Sequence, residues 1–284
     1  MSVSARRFQA AQWLPFLPVG IFFLAIFVFP LSQVISLSLE PNVLVRKFSG
    51  PITLNNYGYF FSRQFYIEAL WRSLRISLLS VALGLLIGYP TACILRRFSK
   101  RIGGTLILLM TFPLLAGVVP VLLGWMIILS KGGNLNRYLM ALGVTREPIR
   151  FLGTETGLVI VLTHYVFPFI VLNVFAVLVR IAPSLEEAAR NLGAGPMKTF
   201  FRVTLPLSMP GVLSGLLIAF SLAISAYVTP QYIGGSALLV VTTLISQFMT
   251  ATFNFQMAAT CAVILLVFSL VVIFLYNKVL ARMG

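Results

Sequence analysis

Six glutamates and one histidine are the only carboxylate and imidazole side chains in this 284-residue chain. Glu40, Glu68, Glu147, Glu155, Glu186 and Glu187 fall in connecting segments or at the ends of apolar runs, so no carboxylate sits mid-span to carry a proton. His164 lies within an apolar run with no Cys or carboxylate one turn away, which favours a packing or helix-kink role over metal binding. A lone histidine leaves no Ser/His/Asp site, and neither G-x-S-x-G nor H-E-x-x-H occurs. The nearest approach to a phosphate loop, Gly193 to Thr199, lacks the glycine before Lys198 and follows a helical segment where a strand is needed. No catalytic residue, metal or cofactor is expected. The chain is not an enzyme by itself.

What remains is a polar stretch, residues 182–206. Ser184 and Glu187 stand as S-x-x-E, the spacing of a capping box. Ala188 and Ala189 give a smooth helix face, Gly193 and Gly195 stop that helix, and Pro196 suits the first turn of a second one over Met197–Arg202. Leu205-Pro206 closes it before the next apolar run. The chemistry on offer is docking: a short capped helix held at a membrane face.

The elements around that stretch are apolar. Mean hydropathy is +1.00, and charged residues make up 10% of the chain, which excludes a soluble globule. Six spans of roughly 20 residues each are predicted, over Leu14–Leu39, Ala69–Leu95, Gly104–Ser130, 155–181, Leu207–Thr229 and Phe255–Leu280. The fold class is all-α, a single transmembrane domain over 1–284. Lys and Arg number 21, which in a soluble protein suggests nucleic acid; here they sit mainly at span ends, so nucleic acid is rejected.

The basic loop 96–101 against the charge-free 231–254 sets orientation. It places 182–206 and both termini in the cytoplasm and makes 40–68 an extracytoplasmic loop. Arg6 and Arg7 precede a run too long for a cleavable leader, so the first span is retained. Arg72 and Arg75, in the first turns of the second span, either snorkel outward or face a wet cavity. Pro113, Gly117, Pro120 and Gly124 mark the third span as a flexible, pathway-lining helix. Leu135, Leu139 and Leu142 predict a short interfacial helix in the outer loop 131–154. Small residues along the fifth span, including Ser208, Gly211 and Gly215, suit close packing against a partner. Tyr227 and Gln231 flank the break at its end. Cys93 and Cys261 fall in spans as small packing residues.

The order Glu187-Ala188-Ala189, Gly193, Val203 and Leu205-Pro206 resembles the EAA loop of binding-protein-dependent ABC importer permeases of type I, with Val203 where isoleucine is usual. His164-Tyr-Val-Phe-Pro168, Thr229-Pro230-Gln-Tyr-Ile-Gly234-Gly235 and Ile245-Ser-Gln-Phe are similar to the spermidine/putrescine branch, so the resemblance covers nearly all of the chain.

It implies a MetI-like permease in a bacterial inner membrane, moving a polyamine, opine or related amine or amino-acid derivative. The partners it implies are two ATP-binding subunits, a second, related permease, a periplasmic or lipid-anchored binding protein and membrane lipid. The coupling loop would be Ser184, Glu186, Glu187, Ala188, Ala189, Gly193, Ala194, Gly195 and Pro196, with Glu187 holding its fold. Pathway candidates are Arg72, Arg75, His164, Tyr227 and Gln231. The rival is an ion-coupled secondary transporter working without an ATPase. A channel or scaffold leaves the capped loop unexplained.

Overall fold

The computed structural model describes residues 17–41, 52–98 and 100–280, all helix and connecting turns with no strand among them. The expectations for Arg6, Arg7, Leu14, residues 42–51 of the 40–68 loop and Arg282 lie outside the described residues. In chain order the helices are α1 (Leu17–Phe23), α2 (Phe29–Ser38), α3 (Asn55–Ser62), α4 (Gln64–Arg97), α5 (Lys100–Leu115), α6 (Val118–Leu129), α7 (Asn134–Ala141), α8 (Glu155–Leu178), α9 (Pro183–Asn191), α10 (Pro196–Thr199), α11 (Leu205–Ser225), α12 (Val241–Thr250) and α13 (Phe255–Leu280). π-turns join α1 to α2 and α10 to α11. Among the described residues six stretches are long and apolar enough to cross a membrane: Gly20–Ser38, Gln64–Arg97, Val118–Ala141, Glu155–Leu178, Pro196–Ser225 and Phe255–Tyr276.

Contacts divide the chain into two compact units, Met1–Ile67 with Leu244–Phe268, and Glu68–Thr243 with Ser269–Gly284. The first is tied by a buried amide. Asn56 Nδ2 donates to the carbonyls of Ser38 at 2.8 Å and Glu40 at 2.7 Å, satisfying the frayed end of α2. Tyr57 OH shares a hydrogen with Ser38 Oγ at 2.7 Å, and Phe60, Tyr66 and Phe248 pack ring on ring beside it.

The second unit is built on α8, whose closest neighbour is α11. A Cβ at Gly211 would stand 2.7 Å from the Asn173 carbonyl and one at Gly215 3.3 Å from Ile170 Cα, so α11 reaches α8 only through glycine. Gly84 and Gly88 let α4 close on Ile170 in the same way. The small residues Gly211 and Gly215 are thus spent on this chain's own α8. Leu158, Leu162, Ile76, Leu122, Leu129 and Ile233 fill a second apolar cluster, and Tyr89 OH meets Ser208 Oγ at 2.8 Å in a buried polar link between α4 and α11.

Three sequence expectations are corrected. The third span is not one helix: Gly117, at φ +86°, divides α5 from α6, a backbone angle that side chains resist, and the spanning stretch starts at Val118 and runs through α7. Pro206 does not close a helix over Met197–Arg202. The chain stays helical from Pro196 to Ser225, because a π-turn at Phe200–Thr204 widens the coil where the proline ring would press on the preceding turn. The 231–254 loop contains α12, and Pro230–Ala237 with α12 forms an apolar pair bent by 82°.

Candidate functional site

The polar stretch folds as a helix, an elbow and a second helix, but its start is not the one its sequence suggests. Ala182 is the N-cap and Pro183 the first helical residue, with no side-chain cap bond. Proline's fixed φ and missing N–H suit that first position, which moves Ser184 inside the helix, so the Ser184/Glu187 capping box does not form. Glu186 in the first turn and Arg190 in the last match the helix dipole. The other end is as expected. Gly193 takes φ +81°, its N–H donates to the Arg190 carbonyl at 2.9 Å, and the Ala194 N–H reaches Ala189 at 3.0 Å. These are the paired bonds of a Schellman stop. Gly195 then caps α10 in extended conformation, with Pro196 in its first position.

None of α9's side chains is buried. Leu185, Ala188, Ala189 and Leu192 recur at three- and four-residue steps, an apolar stripe with no core to cover. Leu192 is 89% exposed and Met197, just past the elbow, 70%. Sequence reasoning passed over Leu185, Leu192 and Met197, although their spacing with the two alanines was readable.

Glu186, not Glu187, anchors the loop. Its Oε1 accepts from Arg96 Nη1 at 2.7 Å and from Thr204 Oγ1 at 2.9 Å, and Arg96 Nη2 donates to the Ile181 carbonyl at 3.1 Å. Glu187 is exposed. Burial alone would push the Glu186 carboxyl up; the bonds from Arg96 and Thr204 and the charges of Arg96 and Arg190 outweigh it and hold it below the usual carboxylate value. A cleft of 760 Å³ opens beside this group, lined by Tyr89, Cys93 and Ile94 of α4 and by Arg190, Pro196 and Phe200.

The pathway candidates do not form one site. Arg72 and Arg75 line an open cavity of 460 Å³ with Glu68 and Trp71, and both pair with Glu155 at the start of α8, Arg72 Nε at 3.4 Å. Arg72 Nη1 also donates to the Leu239 carbonyl at 3.0 Å. Partners 80 residues apart in sequence were invisible to a local reading. His164 is engaged by Trp125, whose Nε1 donates to Nδ1 at 3.3 Å; it lines a 250 Å³ cavity with Gly117, Tyr165, Pro168 and Thr229. Tyr227 and Gln231 lie on exposed turns after α11, linked by a backbone bond of 3.1 Å. Among the described residues no three His, Cys, Asp or Glu side chains are close enough to hold a metal.

Comparison with known proteins places this architecture. Residues 80–284 match the family described as binding-protein-dependent transport system inner membrane component, and the chain belongs to that family. It is 32% identical over 238 residues to the spermidine/putrescine transport system permease protein PotB of Haemophilus influenzae, covering 83% of each chain. It is 28% identical over 245 residues to the inner membrane ABC transporter permease protein YdcU of Escherichia coli, covering 82% of this chain and 76% of that one. Among solved structures, a chain of a bacterial ABC transporter that imports the acidic polysaccharide alginate shares its fold with a TM-score of 0.75 at 19% identity, over 99% of this chain and 98% of that one. A chain of the inward-facing MetNI methionine transporter matches with a TM-score of 0.59 at 20% identity, over 77% and 95%. This chain is accordingly a multi-pass inner-membrane permease subunit of an ABC importer.

Proposed function

We propose that residues 182–206 are the cytoplasmic coupling loop of this permease, gripped by an ATP-binding subunit that drives transport from below. The observation that carries this is the unburied stripe Leu185, Ala188, Ala189 and Leu192 on a helix stopped by Gly193, at the positions that resemble the family's EAA loop. An apolar helix face without a core to cover fits a groove on a partner. Both chain termini lie on the same side as the loop. Two ATP-binding subunits and a second, related permease complete the pathway, and a periplasmic or lipid-anchored binding protein delivers cargo from outside. ATP closes the two ATP-binding subunits, the coupling helices draw together, and the spans tilt to open the pathway outward; hydrolysis resets them. Catalysis of ATP hydrolysis resides wholly in the partner.

The cargo we infer is a small organic amine, polyamines first and opines or amino-acid derivatives next. The relatives named for spermidine and putrescine support that class. Arg72 and Arg75 argue against a cationic cargo less than their charge alone suggests, because Glu155 is shared between them.

The docking test uses Leu192→Ser in the complex purified with its ATP-binding subunits. Burying a leucine contributes about 1.5–3 kcal/mol, so capture of the ATP-binding subunit is expected to fall about tenfold or more while membrane insertion is unchanged. Full capture by the variant would remove the loop from the docking surface. For cargo, uptake of labelled spermidine and putrescine is measured in cells carrying the complete system. Uptake that continues on an ion gradient with the ATP-binding subunit deleted would favour the secondary transporter instead.

A further inference from the structure

Four chain segments meet at one half-buried ion pair. Arg96 comes from the last turn of α4, Ile181 from the turn between α8 and α9, Glu186 from α9, and Thr204 from the π-turn before α11. Glu186 Oε1 receives both Arg96 and Thr204, and the second nitrogen of Arg96 holds the Ile181 carbonyl. Covalent connection fixes α9 only to α8 and, through the Gly193–Gly195 elbow, to α11. A segment held at two such ends can swing. The guanidinium fork removes that freedom, since its two donors fix direction as well as distance. We propose that Arg96, Glu186 and Thr204 form a latch that makes α9 move as one body with α4, so that force applied at the loop enters a third span to which the loop has no covalent link. Arg96 and Glu186 are positioning residues here, and the proposal rests on the coupling-loop reading above.

The latch is tested by electron–electron distance measurement between spin labels at Asn191→Cys in α9 and Phe98→Cys after α4, with Cys93 and Cys261 replaced by serine. The full complex is examined nucleotide-free and trapped with ATP and vanadate. With the latch intact, one narrow distance distribution is expected in both states. Glu186→Gln and Arg96→Gln are each expected to lose it, with broadening greatest in the trapped state; the double variant is no broader than either single one. Arg96→Lys keeps the ion pair, gives up the fork to Ile181 and falls between. A purely structural role for the pair would leave no dependence on nucleotide.

Distributions as narrow in Glu186→Gln and Arg96→Gln as in the parent would overturn the latch, as would additive broadening in the double variant. Should Glu186→Gln fail to insert, the comparison of Arg96→Lys with Arg96→Gln decides, and equal widths sink the idea. If no ATP-binding subunit purifies with the parent chain, the coupling reading fails by itself. The latch is then still judged from the nucleotide-free widths.

Discussion

The helix α4 carries an arginine–glutamate cluster at each end, and the two are built differently. At one end Arg72 and Arg75 converge on Glu155; at the other, Arg96 and Thr204 converge on Glu186. Arg72 and Arg96 lie about 36 Å apart along the helix at ~1.5 Å per residue, a little more than the hydrocarbon thickness. The first cluster binds the starts of two long helices and the Leu239 turn, all parts of one packed unit. The second binds a helix with no buried side chain. The same chemistry therefore holds a scaffold together in one place and points a handle in the other. Stability should answer to the first cluster and transport to the second.

The largest blow to that contrast comes from the handle's elbow. A Cβ at Gly193 would meet no atom within 4 Å, yet φ is +81°, where a β-branched residue is strained. Gly193→Val is expected to reduce ATP-driven uptake to background while membrane-fraction yield stays at the parent level. Normal uptake would show that the elbow's shape is immaterial. Next is Glu155→Gln, which leaves two arginines facing each other without their carboxylate. Loss of one partner of a partly buried pair costs about 2 kcal/mol, seen as a lower unfolding midpoint of the purified permease. An unchanged midpoint with lost coupling would merge the two clusters into one functional class.

The smallest effect is pH. The Glu186 carboxyl titrates below its ordinary 4.5, so its contribution is present above the unfolded value and disappears as pH falls through the folded one. The label distribution at the loop should be flat through the neutral range and broaden only below 4.5. Broadening near neutrality would place a histidine-like group in control instead.

Much of this arrangement was legible in the residues. Long apolar runs located the spans other than the third, and Gly193 with Pro196 located the elbow, because both are local signals. Glu186 was mistaken for the lesser acid because its partners lie 90 residues upstream and 18 downstream, and no local pattern distinguishes it from Glu187. The capping box failed for a local reason: Pro183, one residue ahead, claims the helix start more strongly than Ser184 does. Helix α12 was missed because ten residues, half of them polar, are too few to span, although Val241, Leu244 and Phe248 sit at helical steps. Gly117 was noticed as a breaker, but only its positive φ shows that the helix ends there and another begins.

The continuously helical stretch from Pro196 to Ser225 has a further consequence. With 30 residues in helix it reaches about 45 Å, and it carries a π-turn at Phe200–Thr204 and a proline at Pro210. The π-turn and the proline are where such a helix bends most easily, so what its near end passes on depends on how those two places are packed. On the coupling-loop proposal, a displacement of the near end that passes those two places would reach Ala226, where the coil unwinds, and turn the Tyr227–Gly235 segment.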